Sequence, residues 1–493
     1  MPRKRPKSGA VNAKAKRTLS FTIKMKVRIM NIQKIKEKYT GDRNFYSKVL
    51  AISIPIMLQN GITNFVGLLD NIMVGRIGTE EMSGVSIVNQ LFFILILCLF
   101  GATSGAGVLG AQYYGNGDNE GVKSVFRIKL LISAVLTSAA LFILHTLSVP
   151  LISLYLHEGS SSGDLVSTLN YGQQYLNLML IGQIPLALEM CYSSTLRESG
   201  ETAVPMKASV AAVFINLVLN YLLIYGKFGF PALGVSGAAI ATIISRCIQV
   251  LIVIIWSHTH PDKAPYFRGV YRTLRVPAAL IGKVMILALP IMLNETLWST
   301  AVAAQTALYS VRGLAAVASL NINSTIANVF NIVFLALGDS VAIIVGQQLG
   351  AGKLEEAKIT AYRIIFFSVC LCFGIGTVMF LTAPLFPQVY NTSDEVKAIA
   401  AAMIRITACM MPFQAFLHAA YFTIRSGGKT LITFIFDSGF MWVIAVPLTF
   451  ILTKFTALPI VPVFLICQSS DILKSVLGFI ILKKGSWARN IIR

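Results

Sequence analysis

Ionisable side chains stand inside long apolar stretches of this 493-residue chain, among them the acids Asp70, Glu189, Glu295, Asp339, Asp437 and Asp471 and the bases Arg246, Arg405 and Lys474. A charge costs about 2.5–3.5 kcal/mol at the centre of a membrane helix, so each is a candidate for holding a proton, an ion or a polar ligand. Asp471 and Lys474, three apart, are expected to neutralise each other on one helix. Glu189, Asp339 and Asp437 fall near stretch ends, where solvation or capping is expected. Glu295 is different: it lies twelve residues past Lys283, about 18 Å along a helix, with no base within a turn. A carboxyl at that depth suits binding of a proton or cation, with Arg246 at similar depth as an alternative counter-ion. Asp70 is 22 residues past Lys48, about 33 Å, and so near the far end of its stretch. Other chemistry is sparse. The seven cysteines all sit in apolar runs, and Cys370 and Cys372 point roughly 200° apart on a helix, so neither a disulfide framework nor a zinc site is expected. Gly105-Ala-Gly107-Val-Leu-Gly110 has a dinucleotide-binding spacing but follows no strand, and with Gly101 reads as a packing face. With no nucleophile–base pair and no metal-ligand set, neither an enzyme nor a cofactor is expected.

The elements positioning these residues follow from composition. Only 13% of residues are charged and 55% are hydrophobic, with mean hydropathy +0.71, against about 25% charged in soluble domains. The chain is expected to be an all-α polytopic membrane protein. Stretches of about 20 apolar residues cross a bilayer, and twelve qualify: 48–72, 84–109, 124–146, 170–194, 203–226, 234–256, 283–309, 318–345, 361–383, 399–424, 430–453 and 459–482. Residues 1–48 hold 15 Lys/Arg against Glu37 and Asp42, so +13 of the net +21 lies there. This basic arm, 1–47, is expected to meet anionic lipid, with no nucleic acid as partner. Lys and Arg concentrate in the arm, the even-numbered connections (Lys123, Arg127, Arg197, Lys207, Arg268, Lys353, Arg425 among them) and the tail 483–493. Both termini are therefore expected in the cytoplasm, with the chain in the plasma membrane.

The chain also repeats itself. Lys48-Val-Leu-Ala-Ile-Ser-Ile-Pro-Ile-Met-Leu58 matches Lys283-Val-Met-Ile-Leu-Ala-Leu-Pro-Ile-Met-Leu293 at an offset of 235, which also pairs Gln112 with Gln347, Gly115 with Gly350 and Glu120 with Glu355. Arg197-Glu-Ser-Gly200 resembles Arg425-Ser-Gly-Gly428 at an offset of 228. The reading is a duplicated six-helix unit: an N-terminal lobe 48–256, a linker 257–282 and a C-terminal lobe 283–482. An even number of spans makes the copies parallel, related by an axis along the membrane normal, with any central site at their interface. Two such bundles can rock around a cleft, so transport is the expected function. Pro55, Pro185, Pro290, Pro412 and Pro447 are candidate bending points.

Leu69-Asp70-Asn-Ile-Met-Val-Gly75-Arg-Ile-Gly78 resembles the first-helix signature of multidrug and toxic compound extrusion (MATE) transporters. The likeness continues through Gly110-Ala-Gln112-Tyr-Tyr-Gly115, Asn216-Leu-Val-Leu-Asn220, Gly234-Val-Ser-Gly237-Ala-Ala-Ile-Ala-Thr242, Leu289-Pro290-Ile-Met-Leu-Asn294-Glu295 and Val345-Gly346-Gln347, covering about residues 45–482. The resemblance implies a V-shaped pair of six-helix lobes and proton- or sodium-coupled export of bulky, cationic or amphipathic small molecules by a monomer. It implies ion coupling at Asp70 with Asn216, Asn220 and Thr242, where sodium would sit at Asp70, Asn216 and Asn220. Many relatives have Asp where this chain has Asn220, which leaves the coupling ion open. Glu295 resembles a seventh-helix acid of some members; with Asn294 and Arg246 it forms the expected substrate-binding set. A flippase or exporter of lipid-linked oligosaccharide or specialised metabolite from the same superfamily is the alternative. A major-facilitator transporter lacks support in the loop Gly115-Asn-Gly-Asp-Asn-Glu120, and a scaffold or sensor would not need the buried acids.

Overall fold

The computed structural model describes residues 38–156 and 164–492, so most of the basic arm lies outside the described residues. Six long helices form the first lobe: α1 Arg43–Gly75, α2 Thr79–Gly115, α3 Asn119–Thr146, α4 Leu165–Glu198, α5 Ala203–Tyr225 and α6 Gly234–Thr259. The second lobe repeats them as α7 Ala278–Ser310, α8 Leu314–Gly350, α9 Leu354–Thr382, α10 Asp394–Ser426, α11 Thr430–Phe455 and α12 Ile460–Lys484. No strand occurs among the described residues. Eleven of these helices are long and apolar enough to cross a membrane. The exception is α4, whose 34 residues are long enough but carry Gln173, Gln174, Asn177, Gln183 and Glu189. That helix has polar work to do inside its lobe.

Local sequence sets the boundaries. Asp42 caps α1 by accepting the Phe45 N–H at 2.8 Å, and Asp118 caps α3 through Gly121 N–H at 2.8 Å, each satisfying a donor with no intrahelical partner. The two copies also stop alike. After α2 the chain turns at Gly117 (φ +75°) and after α8 at Gly352 (φ +77°), a left-handed conformation that glycine adopts without a Cβ clash. Residues such as Phe142, Leu381 and Phe373, each at least 67% exposed, form the outward apolar surface of a body solvated by lipid. Among the described residues, α11 widens into π-helix over Ile435–Gly439 and Met441–Ala445.

Both described chain ends lie on one face, here the terminal face, opposite the far face. The lobes meet through α2 on α7, α2 on α8 and α1 on α8. Small residues permit this: a Cβ at Gly105 would come within 3.0 Å of the backbone of Ala288, and one at Gly101 would press on the Met292 backbone. The Gly-rich run of α2 is thus a packing face. These contacts, with Ser53 Oγ 2.7 Å from Ser340 Oγ, sit in the halves of the helices nearest the terminal face. Towards the far face the lobes part into a V. The linker between them packs on the first lobe, with Tyr266, Phe267 and Val270 buried and Arg127 Nε donating to Val270 O at 2.8 Å.

Candidate functional site

Near the far end of α1, Asp70 meets the residues expected beside it. Asn220 Nδ2 of α5 donates to Asp70 Oδ1 at 2.6 Å. The Asn216 amide, one turn away, faces the same carboxylate; with its nitrogen turned inward it donates to Oδ1 at 2.9 Å. Thr242 Oγ1 of α6 is 3.4 Å from that amide. Asn216 and Asn220 are buried, and Asn220 Oδ1 has no partner. No Lys or Arg pairs with Asp70 among the described residues. Asp70 is therefore a carboxylate ringed by neutral polar groups, with one acceptor oxygen of Asn220 left over. Among the described residues no group of three or more His, Cys, Asp and Glu side chains could hold a metal ion.

Arg246 goes elsewhere. It belongs to the first lobe, donates from Nη1 to Gly182 O at 3.1 Å and faces Tyr175 and Glu189. Its contacts are thus with its own lobe, and no ion pair joins it to Glu295, which lies with Asn294 on α7 of the second lobe. Asn294 is itself fully engaged: it donates to Tyr421 Oη and to Asp437 Oδ2, and accepts from Ser438 N–H and Oγ–H. These bonds tie α7 to α10 and α11. Glu295 faces Tyr421 and has Arg425 as its principal favourable charge; that base comes from α10, so counting along one helix could not reveal it.

Other local pairings are also corrected. Lys474 bonds Asp437 Oδ1 at 2.7 Å and not Asp471, which instead accepts from Gln414 Nε2 at 2.5 Å. The wide turn of α11 brings the Asp437 carboxylate to the ammonium. Glu189 and Asp339 are not solvated helix ends. Both line a cavity of about 210 Å³ between the lobes, walled by α2, α4, α8 and α10. Ser193 Oγ donates to Glu189 at 2.5 Å, and Asp339 faces Arg197 of the first lobe and Arg425 of the second.

Arg197, Arg425, Glu198 and Lys129 are the residues sequence reasoning passed over, the two arginines having been read as loop charges. Arg425 is only 2% exposed. Arg197 donates to Gln59 Oε1 at 2.7 Å. Lys129 is sealed against Glu198 at 2.6 Å, with Ser194 and Thr195 also accepting from it. Gly107 and Gly110 of α2 make room for the Glu198 carboxylate, which any Cβ there would strike. The signal was in the repeat, since Arg197 and Arg425 are equivalent at the offset of 228.

Below this cavity the terminal face is latched shut by paired contacts. Gln112 Nε2 donates to Ser426 O at 2.9 Å, and its repeat partner Gln347 Nε2 donates to Glu198 O at 2.7 Å. Gly115 packs on the Gln347 carbonyl, and Gly350 on the Gln112 carbonyl. The end of the chain crosses the same seam. Trp487 is buried on the second lobe, Ile491 N–H donates to Gln112 Oε1 at 2.9 Å, Gln112 Nε2 also reaches Arg489 O at 3.1 Å, and Asn490 Nδ2 donates to Gly350 O at 3.0 Å.

Comparison with known proteins gives the same picture. The MatE family profile matches residues 55–222 and 290–451, one match in each lobe. The probable multidrug resistance protein NorM of Thermotoga maritima is 26% identical over 452 residues, covering 90% of this chain and 94% of that protein. The multidrug resistance protein PmpM of Pseudomonas aeruginosa is 26% identical over 414 residues, covering 81% and 82%. A crystal structure of MATE in a bent conformation superposes with a TM-score of 0.81 at 19% identity over 91% of this chain and 96% of that one. A MOP superfamily transporter from Pyrococcus furiosus superposes with a TM-score of 0.78 at 20% identity over 92% and 98%.

Proposed function

The chain belongs to the MatE family of multidrug and toxic compound extrusion transporters, and from that premise we propose that it exports cationic or amphipathic small molecules in exchange for protons or sodium ions. The observation that carries the coupling is Asp70: a carboxylate within the membrane-spanning body, hydrogen-bonded only to neutral groups, beside an unpartnered Asn220 oxygen. Such a charge is stabilised by taking up a proton or a monovalent cation, and uptake changes the bonds that α1 makes to α5. The names of the multidrug relatives support the substrate class. In this reading the terminal face is cytoplasmic, the basic arm meets anionic lipid, and the latched seam belongs to the state open to the outside. Asp70 takes up its ion there as substrate leaves, and Glu295 draws cationic substrate towards the cleft. Substrate and ion drive the cycle only through unequal affinity for the two states.

The test uses purified protein in liposomes carrying a fluorescent organic cation under an imposed proton or sodium gradient. Gradient-driven movement that is lost in Asp70→Asn, at equal protein content, is the expected result, and the effective gradient identifies the ion. Equal transport by Asp70→Asn removes Asp70 from the mechanism. No movement under either gradient, with folded protein, redirects the assignment to a lipid-linked or specialised-metabolite substrate.

A further inference from the structure

Phe436 and Asp437 in the first π-helical segment of α11, and Phe440 just after it, surround a positive charge. The Lys474 ammonium is 2.7 Å from Asp437 Oδ1, 5.5 Å from the Phe436 ring centre and 5.9 Å from the Phe440 ring centre. The other carboxylate oxygen, Oδ2, is fixed by Asn294 Nδ2 at 3.0 Å. A carboxylate flanked by aromatic faces is the arrangement that recognises alkylammonium ligands. Here it is filled by a side chain of the protein itself, ten residues and about 15 Å from the end of α12.

Two further features suggest that this ammonium can be exchanged. Asp471, one turn earlier on α12, offers a second carboxylate within the reach of the flexible lysine stem, and Gln414 holds it in place. Gly478, one turn later, leaves space for the Phe436 ring; a Cβ there would lie 3.0 Å from Phe436 Cζ. The Asp437 side chain is 20% exposed while Lys474 is 8% exposed, so a ligand reaches the cage from the carboxylate side.

We propose that Phe436, Asp437 and Phe440 form a binding site for the alkylammonium group of an exported compound, and that Lys474 is its tethered stand-in. When substrate enters, the lysine yields the cage and its charge moves to Asp471, so net charge in the lobe rises only by that of the ligand. When substrate leaves, the lysine returns and keeps inorganic cations from occupying the vacated carboxylate. The physiological meaning rests on the export reading, but binding at the cage needs neither a gradient nor transport, so each can fail without the other.

The experiment is calorimetric titration of the purified full-length protein with butylammonium chloride, with butanol as the uncharged control. Lys474→Met, which empties the cage of charge, is expected to bind butylammonium at least about tenfold more tightly than wild type, with butanol unchanged. Adding Asp437→Asn to that variant is expected to abolish the gain. Phe440→Leu alone keeps the ion pair, and hence the fold, and is expected to weaken wild-type binding about two- to fivefold. Equal affinities of wild type and Lys474→Met, a gain that survives Asp437→Asn, or unaltered binding by Phe440→Leu would overturn the assignment.

Discussion

Replacing Gly115 or Gly350 with alanine should open the terminal face, because the two glycines form a reciprocal contact between the repeats. At each, a new Cβ would lie far inside van der Waals distance of the opposite glutamine carbonyl: Gly115 against Gln347 and Gly350 against Gln112. Neither glycine has a left-handed φ, so alanine suits the local backbone and favours each helix by about 0.5–1 kcal/mol, equally in both states. The clash acts only when the lobes are closed. Overpacking of this kind costs about 1–3 kcal/mol, so the open-to-closed ratio at the terminal face should rise about 5- to 150-fold. The carbonyl cannot retreat cheaply, since Gln112 and Gln347 also hold the cross-lobe bonds to Ser426 and Glu198. Spin labels at Glu120→Cys and Glu355→Cys, exposed repeat-equivalent positions at the starts of α3 and α9, read the opening as a shift to longer distances by electron–electron resonance. Native cysteines that could label are replaced first. Gly374→Ala, with nothing within 4 Å of its Cβ, is the control and should leave the distribution unchanged. An unaltered distribution in both Gly115→Ala and Gly350→Ala would refute the claim that this packing holds the lobes together.

Four other outcomes are expected. Removing residues 489–493 leaves Trp487 in place but deletes the two tail bonds to Gln112 across the seam, from Ile491 N–H and to the Arg489 carbonyl, with the Asn490 bond that anchors the tail on Gly350; at about 1 kcal/mol for each seam bond, the same label pair should show an open population enlarged about 5- to 30-fold. Lys129→Ala leaves Glu198 buried and unpaired and should cost about 3–5 kcal/mol of stability, read as a lowered thermal midpoint that Glu198→Gln in the same chain largely restores. Asn220→Asp would place a second carboxylate 2.6 Å from Asp70 and should make cation export more dependent on sodium in liposomes. The Asp164 carboxyl, outside the spans, is held below the usual Asp value by the Ser167 hydroxyl and then by backbone N–H groups; its cap on α4 is thus fully present above about pH 3.9 and lost as pH falls through the lowered value. Amide exchange at Val166 and Ser167 should be slower than in Asp164→Ala at pH 6 and equal to it once the carboxyl is protonated.

The sequence by itself determined the architecture. Apolar stretches about 20 residues long can satisfy their backbone in lipid only as helices, and the offset of 235 made the two lobes parallel copies. The meeting of Asp70, Asn216, Asn220 and Thr242 was legible through family resemblance, since nothing along α1 or α5 alone says which faces turn together. Tertiary structure decided the charges. Asp471 and Lys474 looked like partners because they share a helix, yet the π-turns of α11 carry Asp437 to that lysine. Arg246 and Glu295 had similar depth but lie in different lobes. Arg197 and Arg425 read as loop residues, whereas the ends of α4 and α10 tuck under the opposite lobe and make them walls of the central cavity. A charge inside a membrane protein pairs with whatever the packing brings within a few ångströms. That choice depends on helix rotation and lobe docking, which sequence spacing along one helix does not encode.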